Sequence, residues 1–209
     1  MSHPIRREAA ETDRLLALSD GVVAIAITLL GLDLTVPAVS AAEQVALLPI
    51  AIAQQWQEFL GFVLSFFAVG FYWVLHRRTF VHIARHDRGV VSLNLSFLLL
   101  VAFVPYATSV FTTYPGRFGV PFLSVVLALT GLSLAALWIY ADRRAVLESG
   151  LRSRTVRIQA ARFLASPAVF AVAALVGRYR PLAGMGTWLL LIPINGALQS
   201  RLVASLDDG

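Results

Sequence analysis

The sequence predicts an all-α, polytopic membrane protein with six transmembrane helices per subunit. Three observations predict it. The 209-residue chain is 58% hydrophobic and only 14% charged, whereas soluble domains run about 45–50% apolar and about 25% charged. Its apolar residues fall into runs of roughly 20, the length that crosses a ~30 Å hydrocarbon layer. Its 17 basic residues are all arginine and cluster between those runs.

The first run, Leu15–Leu34, follows a charged tail and contains no small-residue cleavage site, so it reads as a span and not as a signal peptide. Ser40–Trp56 is intermediate: it carries Glu43, Gln44, Gln54 and Gln55 and is divided by Pro49. It reads as a short interfacial helix, with Trp56 at headgroup depth. The second run is Gln57–Leu75, and the third, Val90–Phe111, is broken late by Pro105. The fourth is Val120–Tyr140. The fifth, Ile158–Val176, is the weakest because Arg162 and Pro167 interrupt it. The sixth is Leu182–Val203, and the whole chain, 1–209, reads as one six-span domain. Internal prolines are compatible with spans because neighbouring helices can satisfy the freed carbonyls.

Arginine placement orients the chain. Arg6, Arg7, Arg14, Arg77, Arg78, Arg85, Arg88, Arg143, Arg144, Arg152, Arg154, Arg157, Arg162 and Arg201 fall on one side, against Arg117, Arg178 and Arg180 on the other. That asymmetry makes the first side cytoplasmic and places both termini there. The net charge of +5 is therefore a topological signal and not a nucleic-acid footprint. Anionic lipid headgroups are a secondary partner for the arginine-rich loops. Cysteine is absent, which excludes disulfides, thiol catalysis and cysteine metal sites. The Thr-Val-Gly-Tyr-Gly filter, the Walker loop, the Gly-x-Ser-x-Gly elbow and the His-Glu-x-x-His motif are all missing. An enzyme or a cofactor-dependent protein is not expected. His82 and His86 have metal-ligand spacing, but Arg85 and Arg88 beside them oppose a cation.

The first span holds the informative residues. On a helix, Ile25, Thr28, Leu29 and Leu32 form one stripe, and Asp20 lies roughly 140° away from Ile25. Ala24 and Gly31 lie towards the side of Asp20, where a neighbouring helix can come close. The stripe suits either a pore wall or a lipid-facing surface. An ionisable group such as Asp20 needs a partner or a function in a membrane. Trp73 and His76, one turn apart on the second span, and Asn94 on the third can supply an indole N–H, an imidazole and an amide to Ser19 and Asp20. This reading makes Asp20 a structural anchor. A role as an ion or proton ligand is the alternative.

Arg14-x-x-x-Leu18-Ser19-Asp20-Gly21 followed by Ala24-Ile25-Ala26-Ile27-Thr28-Leu29-Leu30 resembles the signature of prokaryotic relatives of the lysosomal potassium channel called transmembrane protein 175. Tyr72-Trp73-x-x-His76 and the stretch from Asn94 to Pro105 resemble that family's second and third spans. Leu18 departs from the family's phenylalanine. The resemblance implies a homotetramer in the plasma membrane of a prokaryote, with the first helix of each subunit lining a central pore permeable to K+ and other monovalent cations. It implies that Ile25, Leu29 and Leu32 constrict that pore, with Thr28 as a polar ring. It also implies that Arg14, Ser19, Asp20, Trp73, His76 and Asn94 form a buried polar network. A small secondary transporter or proton-coupled carrier is the alternative, and a scaffold or membrane enzyme the third reading.

If the topology is right, Ser2→Cys and Asp207→Cys should both resist a membrane-impermeant thiol reagent in intact cells and react after permeabilisation. Labelling of either from outside would overturn it.

Overall fold

In the computed structural model, residues 4–85, 87–147, 153–197 and 200 are described, with 4–11, 153–155, 157 and 158 described by backbone alone. His86, Ser2 and Asp207 lie outside them. The described residues are helical, joined by short loops, apart from one isolated antiparallel bridge between Ile83 and Leu147. The helices are α1 (Pro4–Leu32), α2 (Gln44–Gln54), α3 (Trp56–Val81), α4 (Arg88–Thr113), α5 (Gly119–Arg143), α6 (Ser153–Tyr179) and α7 (Pro181–Thr187).

Five of these contain segments long and apolar enough to cross a membrane: Thr12–Leu32, Trp56–Val81, Arg88–Thr113, Gly119–Arg143 and Gln159–Tyr179. The expected sixth span, Leu182–Val203, is not among them, and its residues 198, 199 and 201–203 lie outside those described. Pro181 opens α7 at its first turn, where its missing N–H costs nothing. The chain then tightens into a 3-10 turn at Trp188–Leu190 and resumes as helix over 191–197. Pro193 accounts for the break, because it offers no N–H to the carbonyl of Leu189 and its ring crowds that carbonyl.

Two sequence expectations are corrected. Pro105 does not break α4, which continues to Thr113, and neither Arg162 nor Pro167 interrupts α6, which runs unbroken from Ser153 to Tyr179. A proline inside a span deletes one hydrogen bond, but the turns on either side and the neighbouring helices hold the rest. Beside Pro105, Thr108 donates to the Val104 carbonyl at 2.9 Å and pairs with Ser65 of α3 at 2.7 Å. Pro167 is itself a packing element. A Cβ on Gly131 of α5 would lie 2.7 Å from the Pro167 ring and 2.8 Å from the Tyr72 hydroxyl. Only glycine leaves room there for α3, α5 and α6 to meet.

α5 is the central helix. Leu123, Leu127, Leu134, Leu137 and Trp138 are fully buried between α4 and α6. The Tyr72 hydroxyl donates to the Leu127 carbonyl at 2.9 Å, tying α3 to it. At the turn from α6 to α7, a Cβ on Gly184 would come within 2.6 Å of the Gly177 backbone, so the two helices touch main chain to main chain. α1 lies at the edge of the bundle, packed chiefly against α4 and α3 among the described residues. Leu32 ends it, and Pro37 disfavours helix in the residue before it. Gln55 then donates to the Thr35 carbonyl at 3.0 Å and to Glu58 at 3.1 Å, joining the connecting segment to the start of α3. No residue of α2 is buried.

Asp87 starts α4. Its carboxylate accepts from the Val90 N–H at 2.9 Å and from the Tyr140 hydroxyl at 2.8 Å, linking the first turn of α4 to the last of α5. Chiefly the bond from the Val90 N–H, then that from Tyr140, holds the Asp87 carboxyl below its ordinary 3.8. The cap is therefore fully effective above the ordinary carboxylate range and is lost as pH falls through the lowered value. Asp87→Ala should cost about 1 kcal/mol at neutral pH, the usual cost of a lost N-cap. Thermal melts across an acid titration should bring wild type and variant together only at the acid end.

Candidate functional site

α1 presents two faces of different character. Ser19, Val23, Ala26 and Leu30 recur at helical spacing and are buried against α3 and α4. On the other side Leu18, Ile25, Leu29 and Leu32 are 48, 61, 42 and 75% exposed in the single chain. Thr28 shares this exposed face, and its hydroxyl donates to the Ile25 carbonyl at 2.8 Å. That bond satisfies the hydroxyl hydrogen within the helix and leaves the oxygen turned outward as an acceptor. From Leu18 to Leu32 the exposed stripe carries no charge.

The buried face is anchored by hydrogen bonds at one end of the bundle. The Trp73 indole N–H donates to Asp20 at 2.7 Å. The Arg77 guanidinium lies over the same indole, 5.3 Å from the ring centroid, so one ring is held between a carboxylate and a cation. A second string runs alongside. Ser19 donates to the Leu15 carbonyl at 2.8 Å, Asn94 donates to the Ser19 oxygen at 3.1 Å, and His76 Nε2 meets the Asn94 carbonyl oxygen at 2.7 Å. The direction of these bonds is self-consistent. With its NH2 on Ser19, Asn94 presents its oxygen to the ring, so His76 Nε2 must carry the hydrogen. Nδ1 then faces the protein interior with no hydrogen-bond partner. The ring is fixed from both sides, stacked on Phe97 at 5.0 Å and tilted against Phe80 at 4.5 Å. Ser19, His76 and Asn94 are fully buried.

The structure therefore brings together Ser19, Asp20, Trp73, His76 and Asn94, from α1, α3 and α4. It does not bring Arg14 to them: Arg14 is exposed. The Ser65–Thr108 pair, also fully or nearly fully buried, is a further polar link between α3 and α4 that sequence reasoning missed. Its signal was present as two hydroxyls in apolar runs, but hydroxyls bond to their own helix so readily that nothing pointed to a partner. Among the described residues no group of three potential metal ligands occurs, and His86 lies outside them.

Comparison with known proteins gives a consistent picture. Residues 14–105 match the family model described as endosomal/lysosomal potassium channel TMEM175. The chain is 38% identical over 138 residues to a potassium channel of Streptomyces collinus, a match covering 64% of this chain and 66% of that one. It is 41% identical over 107 residues to a potassium channel of Chamaesiphon minutus, covering 51% and 52%. The human endosomal/lysosomal proton channel TMEM175 is 32% identical over 128 residues, which is 25% of its length. The matched stretch thus spans from about a quarter to just under two thirds of these relatives. In three dimensions the chain resembles the crystal structure of a lysosomal potassium-selective channel TMEM175 homolog from Chamaesiphon minutus. The TM-score is 0.75 at 26% identity, over 92% of this chain and 98% of that one.

Removing the indole donor leaves the Asp20 carboxylate short of a partner, so Trp73→Phe should lower the melting free energy by about 1–3 kcal/mol. Asp20→Ala should do the same, and the double variant should cost clearly less than the sum of the two. Additive melts would show that the bond contributes nothing.

Proposed function

We propose, from the likeness of residues 14–105 to the TMEM175 family model and of the whole fold to a TMEM175 homolog, that the chain is a potassium-permeable cation channel of that family with a hydrophobic constriction formed by its first helix. In this reading four six-span subunits surround one axis. Both termini face the cytoplasm, and the assembly sits in the plasma membrane of a prokaryote. The observation that carries the proposal is the division of α1: one face is bonded into the subunit, and the opposite face, bearing Ile25, Thr28, Leu29 and Leu32, is left open without a charge.

The physical argument has three steps. α1 stands at the edge of its own bundle and encloses nothing by itself, so an axial pathway needs further copies in a closed ring. A ring of Ile25, Leu29 and Leu32 side chains would be narrow and dry, and such a ring gates by dewetting. Thr28, with its outward oxygen, would provide a single polar layer within it. Asp20 would take no part in selection, because its carboxylate is engaged by Trp73 on the opposite face. Its work, with Ser19, His76 and Asn94, would be to hold α1 at a fixed rotation, so that the stripe meets the axis. Proton permeation is the second reading, favoured by the human relative's description as a proton channel. A flux assay driven by a pH gradient tests it.

Ile25→Ala should widen the constriction, raise cation flux in liposomes and reduce preference for potassium over sodium. Ile25→Asn should act in the same direction by favouring water in the ring. A stripe that faces lipid would leave flux unchanged in Ile25→Ala, and Ile25→Asn would then chiefly impair insertion or stability. Unchanged conductance and selectivity in both variants would remove the pore assignment. Saturation at low ion concentration with counterflow would instead indicate a carrier.

A further inference from the structure

Between α3, α6 and the 181–197 segment lies a cavity of about 560 Å³, within the size range of small-molecule sites, about 300–1,000 Å³. Leu60, Leu64 and Phe71 of α3, Phe170 of α6, and Met185 and Trp188 form much of its wall. No charged residue lines it. Its polar groups are engaged or withdrawn. Tyr72 gives its hydroxyl hydrogen to the Leu127 carbonyl, and Asn195 gives an N–H to the Leu191 carbonyl at 2.9 Å. The Ser166 hydroxyl and the Asn195 amide oxygen lack a hydrogen-bond partner but present almost no surface to the space. A water molecule needs about two to four polar partners, so water has no place to settle here.

The mouth is equally apolar. Val63 and Phe67 of α3 stand on one side of it, Leu189 and Ile192 on the other, and Phe67 and Ile192 are 69 and 75% exposed. Helix contacts in membranes favour small residues that let backbones approach, and these four are large. The direction of the mouth is fixed by α3. Phe62 lies against Gly31 of α1, and Trp73 is bonded to Asp20 of α1. At roughly 100° per residue, Leu60, Leu64, Phe67 and Phe71 fall on the opposite side of the helix. The cavity therefore opens away from α1. Its wall begins about one turn inside Trp56 and follows α3 from Leu60 to Tyr72, about 18 Å. One leaflet is about 15 Å, half of a ~30 Å hydrocarbon layer.

We propose that this cavity is a lateral binding site for one acyl chain of a membrane phospholipid, which enters from the leaflet nearer Trp56 through the gap between α3 and the Trp188–Asn195 segment. An empty space of this size leaves its wall without dispersion partners on one side. A flexible chain supplies them and brings no polar group that needs a partner. The headgroup stays outside, at the depth of Trp56. Inside, the chain lies against Tyr72, beside the place where Gly131 and Pro167 bring α3, α5 and α6 together. The site depends on the helices standing in a bilayer and is independent of the proposed pore, since none of its wall comes from α1.

The test uses the full chain in phosphatidylcholine liposomes doped with a phosphatidylcholine that carries a diazirine halfway along one acyl chain. After irradiation, tandem mass spectrometry should find adducts on Phe170, Met185 or Trp188. All three line the cavity and are buried, so lipid that merely coats the bundle does not reach them. Its adducts would follow exposed residues such as Leu99 and Leu175. Adducts on Leu99 or Leu175 with none in the cavity would overturn the proposal. A second copy seated over the mouth would give that same result, and this arm needs no variant to fold. A small free aryl diazirine that labels the three residues where the lipid does not would show a pocket closed to chains, and would also overturn it. Ala68 is buried in the wall, and Ala68→Phe should fill part of the space. That variant should lose the cavity adducts and keep those on Leu175. Undiminished cavity adducts, with Leu175 labelled as in the parent, would count equally against the site.

Discussion

In a hydrocarbon layer a carboxylate, an amide and an imidazole have no water to turn to. The arrangement of α1, α3 and α4 follows from how this chain satisfies them. Asn94 gives its N–H to Ser19 of α1 and takes one from His76 of α3. Trp73 gives its indole N–H to Asp20. These bonds leave α1 one rotation about its axis. A turn of α1 by one residue would detach both strings and bury Ile25 or Ile27 where Ala26 now fits.

The rest of the bundle is organised by small residues. Lipid tails are as apolar as leucine, so burial alone gives helices little reason to associate in a membrane. Close approach must supply the attraction. Gly131 admits Pro167 and the Tyr72 hydroxyl, and Gly184 meets Gly177 backbone to backbone. The result is that α5 and α6, joined also by the Trp138 indole N–H donating to the Val156 carbonyl at 3.2 Å, are the most intimately joined pair among the described residues, and α5 contributes much of the buried core. α1, by contrast, is held chiefly by hydrogen bonds and one narrow stripe. A helix attached in that way can present an entire open face to other copies without weakening its own subunit.

This division bears on function. Polar groups that would otherwise bind ions are consumed in fixing α1, and the face left over is apolar with one hydroxyl oxygen. The chemistry of the proposed pathway is therefore exclusion and hydration, not coordination by charge.

The sequence by itself determined the membrane class, the approximate positions of five spans and the open face of α1. Each is a matter of length or period: runs of about 20 apolar residues, and the stripe of Ile25, Thr28, Leu29 and Leu32 set apart from Asp20; the packed face is Val23, Ala26 and Leu30, whereas Ala24 and Gly31, expected to lie where a neighbouring helix comes close, are exposed. The residues of the polar anchor were also legible, because an aspartate in an apolar run needs a partner and few groups on other runs could serve. What only the tertiary structure decided concerns groups whose local preference is weak or contradicted. Pro105, Pro167 and Arg162 read as interruptions, yet the helices run through them because neighbouring helices fill or support each break. Pro193, unremarked among apolar neighbours, coincides with the tightened turn that divides the expected sixth span. Arg14 belongs by motif with the anchor but stays on the surface of the single chain. Ser65 met Thr108, and Ser166 met nothing, for the same reason: a hydroxyl on a helix takes its partner from whatever the fold sets beside it, and spacing along the chain does not record that.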